Sequence, residues 1–174
     1  MRLRRPHLQG SLRVCFFGTY DSTYPGNQGL IAGLRQSGVE VIECHVPVWE
    51  KTSVKDASYF GPVSMLARVI EYSLASLTLT LRAFRIPRCA IIITAFNGYL
   101  DIPLARLIAW IWGAKLVFNP LMSIYDTLVL DRKHFKRGGL IANLILWFER
   151  MLYVLPDAFL VDSRVHYQFF ADTL

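Results

Sequence analysis

Short apolar runs alternate with longer segments of helical periodicity along most of the chain. Five runs have the length and composition of buried strands: Arg13–Phe17, Val39–Cys44, Arg88–Thr94, Ala114–Phe118 and Ala158–Val161. Five segments have a helical pattern: Asn27–Ser37, Val63–Phe84, Asp101–Trp112, Leu140–Leu155 and Ser163–Leu174. Alternating strands and helices favour parallel pairing through right-handed crossovers. We therefore predict an α/β fold over residues 13–174, a Rossmann-like three-layer domain with a mainly parallel sheet.

The segment 63–84 is the ambiguous one, because its middle alternates leucine with serine or threonine, as a strand does. Pro62 before it and its length favour a helix. Asn27 and Asp101 are candidate helix caps, and Gly38 and Gly113 are candidate helix stops. Residues 1–12 are predicted to be a basic, flexible lead-in. Residues 45–61 are predicted to form a long loop, which Trp49 could anchor.

Hydropathy and charge point to a membrane surface. The composition is 53% hydrophobic with a mean hydropathy of +0.34, but the richest runs fall well short of the ~20 residues that a bilayer span needs. The net charge is +6, and basic clusters lie within residues 2–13 and 132–137. Each cluster alone suits anionic lipid headgroups, a phosphate-bearing ligand or a solvated basic surface. Together with the aromatic residues they favour a membrane surface as partner over nucleic acid, for which no motif is present.

The three cysteines indicate a reducing compartment. Cys15, Cys44 and Cys89 are far apart and lie in or beside apolar runs, so we expect buried, reduced core residues. No spacing resembles a metal site. The apolar run Val14–Phe17 is too short for the core of a signal peptide. These features predict a cytoplasmic protein, peripheral to the membrane and without a bound metal.

The loop after the first strand carries the first set of candidate site residues. In an open parallel sheet, ligands bind at the carboxyl ends of the strands, so we expect Tyr20, Asp21 and Tyr24 to face a ligand rather than the core. The loop lacks the Gly-x-Gly-x-x-Gly spacing of a dinucleotide cradle. Aromatic rings stack on apolar sugar faces, and carboxylates accept hydroxyl hydrogens. The alternative is an ordinary surface turn rich in turn-forming residues.

The loop after the fourth strand carries the second set. Ser123, Tyr125 and Asp126 cluster where a reacting group could be held, and Asp126 is either a general base for a sugar hydroxyl or a helix cap. Asp131 and Arg132 could form an internal ion pair, a cap or a contact to a phosphate. His45, at the end of the second strand, is expected to be a structural hydrogen bonder.

Several short motifs together resemble one family. They are Phe17-Gly18-Thr19-Tyr20-Asp21 with Tyr24-Pro25, then Gly38-Val39-Glu40-Val41, then 118–132 with its Ser-Ile-Tyr-Asp-Thr core, and Ala158–Ser163 followed by His166. In this order they resemble the N-terminal domain of retaining glycosyltransferases of the GT-B fold. The chain departs from that pattern at Asn119, where aspartate is common, and in lacking an arginine near Gly26 and Gln28.

The resemblance implies an acceptor-binding domain of an enzyme that moves a sugar from a nucleotide-sugar donor to a lipid-linked or saccharide acceptor. It makes Asp126 the candidate catalytic residue and assigns acceptor binding to Tyr20, Asp21, Tyr24, Asn27, Ser123, Tyr125, Asp131 and Arg132. No cofactor is implied. The donor would bind a C-terminal domain with a Glu-x7-Glu pair, which these 174 residues do not include, so we expect this chain alone to be inactive.

Two other functions are compatible with the same residues. One is a non-catalytic, membrane-peripheral partner subunit that docks on a separate donor-binding domain. The other is a small-molecule-binding Rossmann module, which would need a phosphate loop that the sequence does not contain.

Overall fold

Five parallel strands form one sheet in the computed structural model, which describes residues 12–48, 62–96 and 98–173. The strands are β1 (Arg13–Gly18), β2 (Glu40–His45), β3 (Ile91–Ala95), β4 (Lys115–Asn119) and β5 (Ala158–Phe159). Their order in the sheet is β2-β1-β3-β4-β5. The predicted α/β, Rossmann-like fold is therefore confirmed. The predicted lead-in, apart from Leu12, and Trp49 lie outside the described residues.

The strand register brings the carboxyl ends of the strands to a common edge. Gly18 at the end of β1 lies opposite His45 at the end of β2, and Ala95 of β3 lies opposite Asn119 of β4. β1 also pairs with β3, with Phe16 opposite Ile93. The loops that follow β1, β3 and β4 therefore begin side by side, as expected for this sheet type.

The predicted helices are confirmed within a few residues at each end. They are α1 (Pro25–Gln36), α2 (Pro62–Ala83), α3 (Ile102–Trp112), α4 (Leu140–Tyr153) and α5 (Arg164–Thr173). A short 3-10 turn (Tyr99–Asp101) precedes α3, and a π-helical turn (Asp126–Asp131) follows β4. In α2, four side-chain hydroxyls each donate a hydrogen bond to the backbone carbonyl four residues earlier. These residues are therefore compatible with a helix: Ser73, Ser76, Thr78 and Thr80.

The helices cover both faces of the sheet and create two apolar layers. One core cluster joins sheet residues to buried residues of α2, α3 and α4, among them Phe17, Phe118, Leu79, Ile108 and Leu152. The second cluster joins the opposite sheet face to α1 through Val14, Phe16, Ile31 and Ile93. Burying each such side chain contributes about 1.5–3 kcal/mol. Three layers, with α2, α3 and α4 on one side and α1 on the other, follow from this packing.

Both predicted helix caps are wrong, and both predicted stops are confirmed. Gly38 follows the last turn of α1 with φ of 81°, and its N–H donates to the Arg35 carbonyl at 3.0 Å. α1 begins at Pro25, two residues before Asn27, because proline suits the first position of a helix. Asp101 makes no cap hydrogen bond, since its carboxylate turns back toward the loop after β1. Gly113 ends α3 in the left-handed conformation, with φ of 69°.

The structure also bears on the membrane and cysteine predictions. Across residues 12–48, 62–96 and 98–173, no helix combines the length and apolar character that a bilayer span requires. Cys15, Cys44 and Cys89 are buried free thiols, as predicted. Hydrogen bonding to the other two thiols and burial raise the pKa of Cys15.

Candidate functional site

A buried carboxylate fixes the start of the loop after β1. Asp101 Oδ2 accepts hydrogen bonds from the Thr19 N–H at 2.6 Å and the Thr19 hydroxyl at 3.0 Å, and the Tyr72 hydroxyl donates to Oδ1 at 2.5 Å. Gly18 has φ of 126°, and a Cβ there would lie 2.4 Å from Asp101 Oδ2. Burial raises the pKa of Asp101, and these hydrogen bonds oppose the shift. The carboxylate therefore sits in a space that only glycine at position 18 leaves open.

Tyr20 is wrong as a ligand contact, because its side chain is completely buried. Its ring lies 4.7 Å from the Phe16 ring and 4.4 Å from the His45 ring, and its hydroxyl donates to Glu43 at 3.1 Å. The Tyr20 ring packs in the core and its hydroxyl has a hydrogen-bond acceptor, so the side chain needs no ligand to satisfy it. His45 itself hydrogen-bonds through Nδ1 to the Gly18 carbonyl at 3.1 Å, which confirms its structural role.

Asp21 closes the same loop through side-chain hydrogen bonds. Its Oδ1 accepts from the Thr23 N–H at 2.8 Å and the Thr23 hydroxyl at 2.6 Å, the geometry of an Asx turn. The Asp21 carbonyl accepts from Asn27 Nδ2 at 2.8 Å. Asn27 is buried and so does not face solvent, and its Oδ1 accepts from no described residue. Asp21 itself is half-buried at the rim of the sheet edge.

Tyr24 is the aromatic residue of this loop that reaches the surface. It is half-buried, and its ring centroid lies 5.2 Å from that of Phe96 in the loop after β3. The ring lies over Gly26, where a Cβ would come within 2.4 Å of Tyr24 Cε1. Tyr24 and Phe96 thus form an aromatic pair that spans the loops after two neighbouring strands.

A second buried carboxylate organises the loop after β4. Glu149 of α4 accepts from the Ile124 N–H, the Tyr125 N–H and the Ser123 hydroxyl, each at 2.9 Å. Ser123 Oγ also accepts from the Asp126 N–H at 3.0 Å. The first N–H groups of this helical turn therefore all have acceptors within the protein. The Glu149 carboxylate takes the position at which a helix N-terminus could otherwise bind an anion. Burial raises the pKa of Glu149, and the donated hydrogen bonds oppose this.

The structure places the side chains of Ser123 and Tyr125 inside the fold, and their assignment to acceptor binding stays a prediction. Ser123 is 2% exposed and both of its hydrogen-bonding roles are used in capping the turn. Tyr125 is 7% exposed and packs in an apolar cluster with Val129 and Ala142. Polar and aromatic residues in this loop hold its shape rather than line a cleft.

Asp126 is the remaining carboxylate at the start of this turn. It is half-buried, and no described residue donates a hydrogen bond to its side chain. The helix-cap alternative for Asp126 is wrong, because Ser123 caps the turn. Asp131 and Arg132 follow at the exposed end of the turn, and the ion pairs of the described residues do not include one between them.

The remaining candidates follow the carboxyl ends of three adjacent strands. Asp21 and Tyr24 follow β1, Phe96 follows β3, and Asp126 follows β4, so they come from three adjacent strands spaced about 4.8 Å apart. The Tyr99 hydroxyl donates to the Met122 carbonyl and ties the loops after β3 and β4 together. Among residues 12–48, 62–96 and 98–173 there is no cluster of side chains suited to hold a metal ion.

A separate cavity of about 400 Å³ lies where α4, β5 and α5 meet. Its lining is mainly apolar and includes Tyr153, Phe159, Tyr167 and Phe170. The rings of Tyr153 and Phe159 stack there, 5.3 Å apart. None of the residues predicted for acceptor binding or catalysis lines this cavity.

No protein-family model matches the chain, and no curated protein matches it. The family resemblance of the sequence motifs stays a prediction. The sequence also gave no direct signal for three residues that shape the site: Phe96, Asp101 and Glu149. The one clue concerns Glu149, which is an acidic residue in an otherwise mainly apolar helical segment. Such a position indicates a buried carboxylate with hydrogen-bond partners inside the protein.

Proposed function

We propose that this chain is the acceptor-binding domain of a glycosyltransferase that uses a nucleotide-sugar donor and a lipid-linked or saccharide acceptor. The observation that carries the proposal is the Tyr24–Phe96 pair beside Asp21 at the carboxyl edge of a Rossmann-like sheet. Aromatic rings pack on the apolar faces of sugars, and a carboxylate at the rim accepts hydrogen bonds from sugar hydroxyls. The loop has no glycine-rich phosphate cradle, which favours a saccharide over a nucleotide at this edge.

Asp126 is the residue that we propose as the general base. Its carboxylate would take the proton of the acceptor hydroxyl as that oxygen bonds to the anomeric carbon and the nucleoside diphosphate leaves with the bonding electrons. Two observations support it: the turn that carries Asp126 is held rigidly by Ser123 and Glu149, and no described residue occupies its carboxylate. The donor would bind a separate domain, and no further cofactor takes part in this proposal.

The proposed setting is the cytoplasmic side of a membrane, with the protein bound peripherally. The support is the exposed basic sequence 132–137 and the reduced state of the three buried cysteines. A lipid-linked acceptor would be presented to the domain at that surface.

Binding of saccharides to the intact chain tests the acceptor site. The probes are free oligosaccharides and isoprenoid-diphosphate-linked saccharides, measured by calorimetry against native protein, Tyr24→Ala and Tyr24→Phe. Loss of one aromatic contact is worth about 0.5–1.5 kcal/mol, so Tyr24→Ala should weaken binding about 2- to 12-fold, and Tyr24→Phe should keep it. Tyr167→Ala is the control, since Tyr167 is 63% exposed on α5, away from the proposed site. Unchanged affinity of Tyr24→Ala for a bound saccharide contradicts the proposal.

The base assignment needs an assay of sugar transfer with the donor-binding domain present. Asp126→Asn should lower turnover by about 10²-fold or more while leaving saccharide affinity in place, because a general base contributes on that scale. Asp172→Asn removes an exposed carboxylate from α5, outside the predicted site residues, and serves as the control. Normal turnover of Asp126→Asn would remove Asp126 from the mechanism and leave the acceptor site itself untouched.

A further inference from the structure

Three helices carry a second apolar side that faces away from the core. α2, α3 and α4 bury Leu79, Ile108 and Leu152 respectively against the sheet. Since successive residues turn by about 100° around a helix, other apolar positions fall on the opposite side of each helix. We call this surface the outer face, defined by Leu74 and Leu77 of α2, Leu107 and Trp110 of α3, and Leu144 and Trp147 of α4. Each of the six is more than half exposed.

The outer face spans three helices that pack on the same core cluster. Leu79, Ile108 and Leu152 belong to a single core cluster with Phe118 of the sheet, so the opposite sides of their helices all face away from that cluster. Large apolar side chains exposed on three helices of one layer exceed the scattered exposure that is normal for a monomer. Such a surface indicates docking to another apolar phase or protein.

Basic residues outnumber acidic ones on the three helices. The acids of α2, α3 and α4 among the described residues are Glu71, which pairs with Arg68 at 3.8 Å, and Glu149, which is buried. The turn that leads into α4 contains a cavity of about 350 Å³ lined by Lys133, Lys136 and Arg137 together with apolar side chains. We call these three cations the basic turn. α4 then begins at Leu140 with no acid in its first turn.

We propose that the outer face and the basic turn together dock the protein on a bilayer that contains anionic lipids. The leucine and tryptophan side chains enter the boundary between headgroups and acyl chains, and Lys133, Lys136 and Arg137 bind headgroup phosphates at the rim. A cavity with both apolar and cationic walls suits the junction between a phosphate and its acyl chain. The proposal rests on the membrane setting proposed above and names the surface that docks and the lipid charge it needs, and it holds whether or not the chain takes part in sugar transfer.

Charge favours the bilayer over a second copy of this chain. Two-fold pairing through the outer face would offer the basic turn no free acid from these helices, because Glu71 pairs with Arg68 and Glu149 is buried. Lysine is also depleted at protein–protein interfaces, whereas exposed lysine and arginine beside an apolar helix face are typical of membrane-surface binding. The basic turn directly follows the Asp126–Asp131 turn, so docking would also bring that end of the sheet to the lipid surface.

Vesicle flotation with the full chain tests the proposal. The vesicles contain phosphatidylcholine alone or phosphatidylcholine with phosphatidylglycerol. Native protein should bind the anionic vesicles more tightly, and Lys136→Gln/Arg137→Gln should lower the partition coefficient about fivefold for each cation removed. Leu144→Ser/Trp147→Ser should lower it by at least about tenfold, because two apolar side chains no longer leave water. The control Arg35→Gln removes one cation from an exposed ion pair on α1, on the other face of the sheet, and should change the partition by less than about twofold.

A second measurement separates insertion of this face from loss of folding. Trp110→Phe/Trp147→Phe keeps the apolar area, so it should still float with anionic vesicles but lose most quenching of tryptophan fluorescence by brominated acyl chains. Circular dichroism confirms that each variant is folded. Quenching that persists in this variant, equal binding to neutral and anionic vesicles, or native-like binding of the serine variant would each overturn the proposal. So would a lipid-free dimer that Leu144→Ser/Trp147→Ser converts to a monomer, because the face would then belong to a second copy.

Discussion

Gly18 offers the sharpest test of how the loop after β1 is held. A methyl group at position 18 would lie 2.4 Å from Asp101 Oδ2, far inside van der Waals contact, and the backbone there has φ of 126°. Gly18→Ala must therefore strain the backbone. It must also displace the Asp101 carboxylate, to which the Thr19 N–H donates a hydrogen bond of 2.6 Å.

Both consequences have known sizes. A non-glycine residue held in an unfavourable backbone region costs about 1–3 kcal/mol. Loss of a hydrogen bond between a buried N–H and a charged group costs about 1.5–3 kcal/mol. We therefore expect Gly18→Ala to lower the free energy of unfolding by about 3–5 kcal/mol, a large part of the about 5–15 kcal/mol that a domain has in total.

Two other glycines separate the strain from the collision. Gly113 has φ of 69° with no atom near its missing Cβ, so Gly113→Ala should cost about 1–2 kcal/mol through backbone strain alone. A Cβ at Gly98 would lie 2.9 Å from Asp101 Oδ2 without a positive φ, so Gly98→Ala reports the collision with far less strain. The assay is urea denaturation followed by circular dichroism.

The double variant Gly18→Ala/Asp101→Ala completes the test. Asp101→Ala removes the two atoms nearest the new methyl group, Oδ2 at 2.4 Å and Cγ at 2.9 Å, so the double variant should be less destabilised than the sum of the two single variants. Additive effects, or a cost for Gly18→Ala no larger than that for Gly113→Ala, would refute the reasoning.

Three further predictions concern the buried network and the termini of the strands. Glu149→Gln should lower the free energy of unfolding by about 1–3 kcal/mol, because the new amide N–H₂ would face the Tyr125 N–H, which now donates a hydrogen bond to the carboxylate. Thermal unfolding measures this effect, and an unchanged midpoint would be inconsistent with the role of Glu149. Hydrogen bonds from the Leu116 N–H and from Arg106 lower the pKa of Asp157 to about 2. The ionised carboxylate therefore stabilises the fold above about pH 4, and this contribution is lost as the pH falls toward 2. Asp157→Asn should flatten the stability–pH curve between about pH 4 and pH 2, and an unaltered curve in that range would disprove the linkage. The buried cysteine thiols should react with a thiol reagent only at the rate of unfolding in urea, and fast labelling of native protein would contradict their burial.

The fold could be predicted from the sequence because its signals are local. Period-two and period-3.6 patterns distinguish strands from helices within a few residues, and Gly113 marks its helix end by itself. α2 shows where pattern alone is ambiguous: its leucine–threonine alternation imitates a strand, and the hydroxyl groups resolve the conflict by bonding to the helix backbone.

The site could be predicted only in position, because the direction of each side chain depends on distant partners. Asp101 was expected to cap its own helix, yet it accepts from Thr19, which lies 82 residues earlier. Ser123 was expected to face a ligand, yet it donates to Glu149, 26 residues later. Such pairings leave no local pattern, so polar residues committed to internal hydrogen bonds look the same in sequence as those free to bind a ligand.

Chemical-shift mapping by NMR tests the proposed acceptor site most directly. Isotope-labelled protein is titrated with the oligosaccharides and isoprenoid-diphosphate-linked saccharides, and the amide signals that move are assigned. We predict saturable shifts at Asp21, Tyr24, Phe96 and Asp126, the four residues of the proposed site, which lie in the loops after three adjacent strands. Absence of saturable shifts with every saccharide, or shifts confined to the cavity between α4 and α5, would contradict an acceptor site at this edge.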